Sequence, residues 1–399
     1  MSGADDTPLA PSGADPHRGQ AVASGIVAAV VGFAGAFTVV LAGLRAVGAS
    51  EDQAASGLLS VTVAMGAVAI FLSLRTRIPM AIAWSTPGAA LLVSTGAVDG
   101  GWPAAVGAFV VAGVLTVVAG LWRPVARWIA AVPAGVASAL LAGVLLPVCL
   151  APARAAVELP KLALPVIAAW AVLIVVARRW AVPGALLAAG AALAVNGNLG
   201  GGALDDPLPV LTLTTPHFQL GTIVGVAIPL FLVTMASQNL TGLSVLQLNG
   251  YKPELAPVLV STGGVSAAIA PLGGHGINLA AITAAMTASA DAHPDPARRW
   301  VATVVAGTVH ILLGLTAGAA TALVAASPPL LIQAVAGLAL LGALTSAPTA
   351  AFADDAHRDA ATVTLVVTAS SIAVAGISAP FWGLLAGLAF LGLQRVRRP

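Results

Sequence analysis

Charged residues are scarce in this chain, and their scarcity excludes a soluble protein. Asp, Glu, Lys and Arg make up 8% of the 399 residues, while hydrophobic residues make up 59%. A soluble domain carries about 25% charged residues, so the composition predicts a polytopic membrane protein. The single cysteine, Cys149, excludes an internal disulfide and a cysteine-based metal site. The sequence has no P-loop, dinucleotide-binding fingerprint or zinc-ligand spacing, and we expect no cofactor and no nucleic-acid partner.

Carboxylates are missing from the long apolar runs. All fifteen acidic residues fall in tails, loops or the edges of those runs. Two acidic pairs, Asp205-Asp206 and Asp354-Asp355, resemble parts of a metal motif, but neither has a matching acidic cluster at membrane depth. We interpret both pairs as solvated loops and predict no bound metal.

Apolar runs are abundant, and fourteen of them can cross a bilayer at roughly 20 residues each. The chain is therefore predicted to be an all-α polytopic membrane protein with fourteen transmembrane segments. Residues 1–20 are expected to form a disordered cytoplasmic tail, since they lack the features of a signal peptide. The predicted spans are 21–44, 55–74, 78–96, 103–121, 132–150, 161–177, 183–200, 219–245, 254–266, 268–290, 300–324, 329–346, 360–377 and 379–394.

The distribution of basic residues supports this count. With the N-terminus inside, 14 of the 17 basic residues fall in inside segments, and only Arg45, Arg154 and Lys161 fall outside. Adding or removing one span would destroy this asymmetry. The positive-inside rule therefore predicts a multi-pass protein of the inner (plasma) membrane with both termini cytoplasmic.

The two sets of seven spans resemble each other. Ala81–Gly88 in span 3 resembles Ala268–His275 in span 10, and three further pairs of short segments match in the same order. Because seven is odd, the second copy must insert upside down, which is a common plan for secondary transporters. We predict a 7+7 inverted repeat of residues 21–200 and 219–399, joined by an extracytoplasmic loop at 201–218.

Glycine and proline interrupt spans 3 and 10. Irregular backbone persists in a bilayer only where protein or a polar cavity satisfies its N–H and C=O groups. We predict that two short extended segments, 80–85 and 267–272, pair near the midplane, and that helices begin near Thr86 and near Gly274-His275. Two helix N-termini would then face one cavity and favour an anion, most simply a carboxylate.

Several motifs make the chain similar to a known family. The most specific are Trp84-Ser-Thr-Pro-Gly-Ala89 in span 3 and Met235-Ala-Ser-Gln-Asn239 in span 8. From about residue 21 to the end, the chain resembles the benzoate:proton symporter family (BenE), which is related to the nucleobase and sulfate permeases. The resemblance implies uptake of benzoate or a similar aromatic acid with protons. It also implies a substrate-carrying core domain of spans 1–4 and 8–11 and a gate domain of spans 5–7 and 12–14.

One departure from the related permeases is informative. Nucleobase permeases of this fold carry glutamates in spans 8 and 10, where this chain has Ser237-Gln238-Asn239 and His275. A cavity without carboxylates suits a substrate that is itself a carboxylate, because like charges repel strongly at low dielectric.

The candidate substrate ligands lie in spans 1, 3, 8 and 10. A histidinium could attract a carboxylate, amides could donate to it, and helix starts offer backbone N–H groups. The alternatives are backbone capping by the histidine and helix–helix contacts by the amides and glycines. Aromatic residues could line an apolar slot for a benzene ring, although ordinary core packing also explains them. The polar candidates are Ser85, Thr86, Gly88, Gln238, Asn239, Gly274, His275, Gly276 and Asn278, and the aromatic candidates are Phe33, Phe37 and Trp84, with Phe231.

Proton coupling needs a titratable carrier. His275 and His310 both lie near mid-depth, where ionisable residues are usually functional, and packing is an equal alternative for His310. We hypothesise a proton-coupled importer of benzoate-like carboxylates that works by alternating access. A transporter of another small organic anion or a nucleobase, a membrane-embedded enzyme and a passive channel are the alternatives. The expected partners are the substrate, protons and the lipid bilayer, and a homodimer stays open.

Overall fold

The structure is a computed structural model that describes residues 17–122, 132–196, 209–374 and 377–397. Within these residues, seven helices are long and apolar enough to cross a membrane, or eight if one bent pair counts as a single span. A helical, multi-pass membrane protein is thus confirmed, while the count of fourteen and the inverted repeat stay predictions. The seven are Arg18–Ala46, Glu51–Thr76, Gly101–Leu121, Ala134–Glu158, Leu220–Leu248, Leu255–Leu272 and Pro329–Ala351.

The first half of the chain contains helices and one short strand. Its second long helix begins with a capping box, in which the Ser50 hydroxyl accepts from the Gln53 N–H and the Gln53 side chain accepts from the Ser50 N–H. The elements are α1 (Arg18–Ala34), α2 (Phe37–Ala46), α3 (Glu51–Thr76), β1 (Ile82–Trp84), α4 (Thr86–Thr95), α5 (Gly101–Leu121), α6 (Ala134–Cys149), α7 (Ala151–Glu158), α8 (Pro160–Val176) and α9 (Ala181–Val195).

The second half of the chain also consists of helices and short strands. Its first helix, α10 (Leu220–Leu248), contains two π-helical turns, Ile223–Ala227 and Met235–Asn239. The remaining elements are α11 (Leu255–Ile269), β2 (Ile277–Leu279), α12 (Ile282–Thr287), α13 (Trp300–Gly314), α14 (Ala317–Ala325), α15 (Pro329–Ala351), α16 (Arg358–Ala369), β3 (Ala373–Val374), β4 (Ile377–Ser378) and α17 (Ala379–Arg397).

β1 and β2 form an antiparallel ribbon of three residues each. Their pairing satisfies backbone groups that would otherwise meet hydrocarbon. This confirms that the two predicted broken segments contain short extended pieces that pair with each other. The register is Ile82 opposite Leu279, Ala83 opposite Asn278 and Trp84 opposite Ile277.

The predicted position of the second extended segment is wrong. Residues 267–272 are helical, because α11 continues through a 3-10 turn and stops only at Gly273. Gly273 has a φ of +93°, a left-handed conformation that glycine adopts readily and that ends helices. The strand therefore follows Gly276, about one helical turn after the stop.

Span 13 is also shorter than predicted. Its helix, α16, ends at Ala369, and the chain turns at Ser371, whose φ is +54°. The last part of the predicted 360–377 span instead forms β3 and β4, which pair antiparallel. This hairpin leads directly into α17.

Packing divides the helices into two bundles. In the first bundle, α3 and α1 pack on α13, α5 packs on α11, and α2 packs on α4. In the second bundle, α6 packs on α15 and α16, α16 packs on α17, and α8 packs on α9. We call α1–α5 with α10–α14 the first bundle and α6–α9 with α15–α17 the second bundle.

An extended segment crosses the ends of the first bundle. From residue 209 the chain runs without regular structure to α10, and Thr214 donates its backbone N–H to the Pro271 carbonyl at 2.7 Å. The Trp102 indole N–H donates to the Thr214 hydroxyl at 3.0 Å. The predicted loop at 201–218 is therefore tied to the bundle in its described part, while residues 197–208, including Asp205-Asp206, lie outside the described residues. Residues 1–16 of the predicted tail also lie outside them.

Candidate functional site

The start of α4 forms one wall of the candidate site. Ser85 caps this helix, because its hydroxyl accepts from the Gly88 N–H at 3.0 Å, and Pro87 occupies the first turn, where its missing N–H costs nothing. The predicted helix start near Thr86 is thus confirmed. A Cβ at Gly88 would lie 2.6 Å from Ser85 Oγ and 2.9 Å from Ser85 Cβ, so a side chain at this position would disturb the capping serine.

The start of α12 differs from the prediction. This helix begins at Ile282, not at Gly274-His275, and no side chain caps it. The Gly274 N–H already donates to the Ile269 carbonyl at 3.1 Å, which removes it as a donor to a ligand. Residues 273–276 form a turn between α11 and β2, because Gly273 and Gly276 both have positive φ.

That turn places His275 against the other broken span. The residue is 2% exposed, and its Nε2 lies 3.1 Å from the Ser85 carbonyl oxygen. Because a carbonyl can only accept, Nε2 carries the hydrogen of this bond. Nδ1 is buried and has no hydrogen-bond partner among the described residues. The Phe109 ring packs edge-on against the imidazole at 6.5 Å between centroids.

Ser85 is the polar centre of the site. Its hydroxyl lies 2.6 Å from the Thr234 hydroxyl, which joins α10 to the start of α4. Its backbone N–H donates to the Gly276 carbonyl at 3.3 Å. With its amide oriented to match its neighbours, Asn278 also accepts from the Ser85 N–H at 3.1 Å and donates to the Leu279 carbonyl. Ser85, His275, Gly276 and Asn278 are therefore brought together, as the sequence predicts.

The two amides of α10 have different surroundings. Both lie in the π-helical turn Met235–Asn239, a distortion that often marks functional positions. Asn239 is fully buried, and its Oδ1 accepts from the Leu279 N–H at 3.0 Å, so it supports β2. Gln238 is half-buried and makes no side-chain hydrogen bond within the described part of the chain. Gln238 is thus the amide that is available to a ligand.

Three of the predicted aromatic residues form a continuous buried wall. The rings of Phe33 and Phe37 stack at 5.4 Å, and Phe33 meets Trp84 at 5.6 Å with a tilt of 56°. Trp84 precedes Ser85 directly in the chain, so the wall includes the residue next to the polar centre. Phe231 lies elsewhere, in a separate cluster that contains Ala119 and Leu259.

His310 belongs to a different contact. It is buried in α13, with its ring bonded to the Ala29 carbonyl of α1. A Cβ at Gly32 would lie 3.9 Å from His310 Nε2 and 3.0 Å from Thr283 Cγ2, so these two side chains converge on α1. Thr283 has a buried hydroxyl without a partner in the described chain. The structure therefore joins His310 to α1 and does not show it bonded to His275.

The acidic pair at residues 354–355 forms a helix start. Asp354 accepts from the Ala356 N–H at 2.9 Å and pairs with His357, and Asp355 pairs with Arg358. The Ala356 N–H, aided by the His357 bond, lowers the pKa of the Asp354 carboxyl. Among the described residues, no group of three or more His, Cys, Asp or Glu side chains is arranged to hold a metal ion.

Known proteins resemble this chain along most of its length. The model of the family described as benzoate membrane transport protein matches residues 16–393. The chain is 37% identical over 367 residues to the inner membrane protein YdcO of Escherichia coli, covering 91% of this chain and 93% of that protein. It is 29% identical over 376 residues to the benzoate membrane transport protein of Acinetobacter baylyi, covering 92% and 93%.

A solved structure also has a similar fold. The transmembrane domain of a cyanobacterium bicarbonate transporter, BicA, matches with a TM-score of 0.57 and 16% identity. The match covers 94% of this chain and 98% of that domain. At this identity the likeness concerns the fold alone.

Proposed function

Because the chain belongs to the benzoate membrane transport protein family, we propose that it imports benzoate or a similar aromatic carboxylate by proton symport. Family membership makes the chain a multi-pass membrane transporter rather than an enzyme, with a small-molecule anion as its substrate. The identity of the anion, the proton coupling and an alternating-access cycle are the proposed parts.

The unpartnered Nδ1 of His275 carries the proposal. Nε2 is held by the Ser85 carbonyl, so any proton that the ring gains or loses is at Nδ1. Leaving a buried polar atom without a hydrogen bond costs about 1–3 kcal/mol, which a ligand at that atom would recover. A carboxylate and one proton together provide that bond. Either the proton is on Nδ1, which then donates to the carboxylate, or it is on the ligand, and the carboxylic acid donates to Nδ1.

The surrounding residues suit an aromatic acid. The backbone N–H of Thr86 lies at the start of α4 beside the Ser85–Thr234 hydroxyl pair, and Gln238 follows Thr234 by four residues in α10. The wall of Phe33, Phe37 and Trp84 offers apolar area for a ring. We propose that the carboxylate lies at His275 and that the ring lies along this wall.

The two bundles support a core and a gate. The first bundle contains the helices of predicted spans 1–4 and 8–11, and the second contains those of predicted spans 5–7 and 12–14, which supports the proposal of a core domain and a gate domain. The proposal keeps fourteen spans in an inverted repeat with both termini cytoplasmic, in the inner membrane, and leaves a homodimer open. The antiparallel pairing of β1 with β2 supports the inversion, since matched strands from inverted copies run in opposite directions.

Proton coupling is assigned first to His275 and second to His310. The His310 contact with α1 and the unpartnered Thr283 hydroxyl place it beside α12, behind Phe33 along α1. In that position, a movement of α12 would change the surroundings of the His310 ring even though the ring does not contact the substrate. The proposal therefore treats His310 as a second proton carrier in the same cycle.

Counterflow in proteoliposomes tests the substrate. Proteoliposomes loaded with unlabelled benzoate should accumulate labelled benzoate. Salicylate should compete with this uptake, whereas uracil and sulfate should not. Exchange of uracil or sulfate without benzoate exchange would reject the proposed substrate.

Uptake driven by an imposed pH gradient tests the coupling. His275→Ala should abolish gradient-driven accumulation, because Nδ1 is lost. His357→Ala, in the 3-10 turn before α16, is the matched control and should retain it. Full gradient-driven uptake by His275→Ala would remove His275 as the carrier, and the same measurement on His310→Ala would then test the second assignment.

A further inference from the structure

Ser378 connects three elements at the end of the molecule where α4 ends. Its hydroxyl donates to the Gly225 carbonyl in the first π-helical turn of α10 at 2.8 Å. The Thr95 hydroxyl, on the last residue of α4, donates to Ser378 Oγ at 3.4 Å. Ser378 is 6% exposed, so water competes little for these bonds. One serine of β4, the strand that leads into α17 of the second bundle, thus binds two elements of the first bundle.

The backbone around Ser378 fits closely against α10. A Cβ at Gly225 would lie 3.2 Å from Ile377 Cα and 3.4 Å from the Ser378 nitrogen, so β4 packs directly on this glycine. The Trp382 indole N–H donates to the Ile377 carbonyl at 3.1 Å, which fixes β4 to the first turn of α17. β4 is therefore in contact with α10 through Gly225 and hydrogen-bonded to α17 through Trp382.

The two bundles meet through several elements at this end of the molecule. α4 packs on α6, α2 packs on α15, and the first π turn of α10 packs on β4 and α17. At the opposite end, α12 packs mainly on α1, α10 and α13 within the first bundle. The bundles also touch away from this end, where the second π turn of α10 packs on α6 and α1 packs on α9.

We propose that Ser378 is a latch that holds the transporter closed on its outer side. The inference rests on the proposed alternating-access function and topology, in which the Thr95 end of α4 is extracytoplasmic. α4 carries the substrate site at its first residues and the latch at its last residue. Release of Ser378 from Gly225 and Thr95 is then required before the site can open outward.

Labelling of a cysteine at the latch tests its strength without any substrate. In a Cys149→Ser background, Thr95→Cys is exposed to a membrane-impermeant maleimide from outside. Adding Ser378→Ala should raise the labelling rate about 2- to 10-fold, the effect of losing one buried hydrogen bond. Ser370→Ala is the matched control, because its hydroxyl bonds only nearby backbone, donating to the Val367 carbonyl and accepting from the Ile372 N–H. Equal rates in the two variants would overturn the latch.

Cross-linking tests whether release is required for transport. The Thr95→Cys and Ser378→Cys pair replaces two hydroxyls that lie 3.4 Å apart, so oxidation should form a disulfide. Benzoate exchange should fall at least 10-fold and recover with dithiothreitol, while either single cysteine should be insensitive. Full exchange by the cross-linked protein, or no cross-link at all, would overturn the proposal.

The two proposals fail in different ways. If no variant exchanges benzoate but labelling still responds to Ser378→Ala, the substrate is wrong and the latch stands. If benzoate exchange is normal and neither labelling nor cross-linking has an effect, the latch is wrong and the proposed substrate stands. If the double-cysteine variant is inactive even in its reduced form, the labelling rates alone test the latch.

Discussion

Asn239 and Gln238 are neighbours in one π-helical turn, and the structure predicts opposite consequences for removing their amides. Asn239→Ala leaves the buried Leu279 N–H without its acceptor, which is 3.0 Å away in the native protein. An unsatisfied buried donor costs about 1–3 kcal/mol, and the lost side chain leaves a cavity in addition. Asn239→Ala should therefore lower the thermal stability of the protein and loosen β2.

Gln238→Ala removes an amide that bonds nothing in the described chain. Its stability should stay close to that of the native protein, whereas loss of a hydrogen bond to a charged carboxylate should weaken benzoate binding about 10- to 100-fold. The assays are thermal unfolding in detergent and benzoate binding by calorimetry, measured on both variants. The reasoning is refuted if Gln238→Ala lowers the unfolding temperature as much as Asn239→Ala, or if Asn239→Ala retains native stability.

Three further predictions concern packing and ionisation. In a double-mutant cycle, Ser85→Ala and Thr234→Val should show a coupling of about 0.5–1.5 kcal/mol in unfolding, because their hydroxyls bond at 2.6 Å; additive effects would contradict this. Burial raises the pKa of the Tyr251 phenol above its usual 10, so the unfolded chain loses this proton first and stability should fall as pH rises past 10. In Tyr251→Phe, the unfolding temperature should fall less steeply above pH 10 than it does in the native protein. Gly113→Ala places a Cβ 2.7 Å from the Ala267 nitrogen and should destabilise, whereas Gly190→Ala has open space and should not.

Local signals in span 3 allowed its structure to be predicted from the sequence. Ser85 and Pro87 are residues that start helices by their own chemistry, and the structure has them in those roles. In span 10 the same reasoning misplaced the strand, because residues 267–272 are compatible with both helix and strand. The stop at Gly273 depends on a left-handed backbone that composition does not reveal.

The candidate site was predictable in its members but not in its connections. Polar residues in apolar runs are predicted site members, and these include His275, Ser85 and Asn278. Thr234 was missed, since a threonine in a membrane helix commonly bonds its own backbone, and only the tertiary fold shows its hydroxyl at Ser85. The position of Thr234 immediately before the Met235 motif was the one signal that could have identified it.

The antiparallel ribbon has a consequence for the synthesis of the protein. β1 leaves the ribosome about 200 residues before its partner strand, and at roughly 5–20 residues per second this delay lasts about 10–40 s. During that time the three residues Ile82–Trp84 reside in or near the membrane with unpaired backbone groups. Because each strand is only three residues long, few backbone N–H and C=O groups stay unpaired during this delay. The candidate site consequently cannot assemble until β2, in the second half of the chain, has been synthesised and has paired with β1.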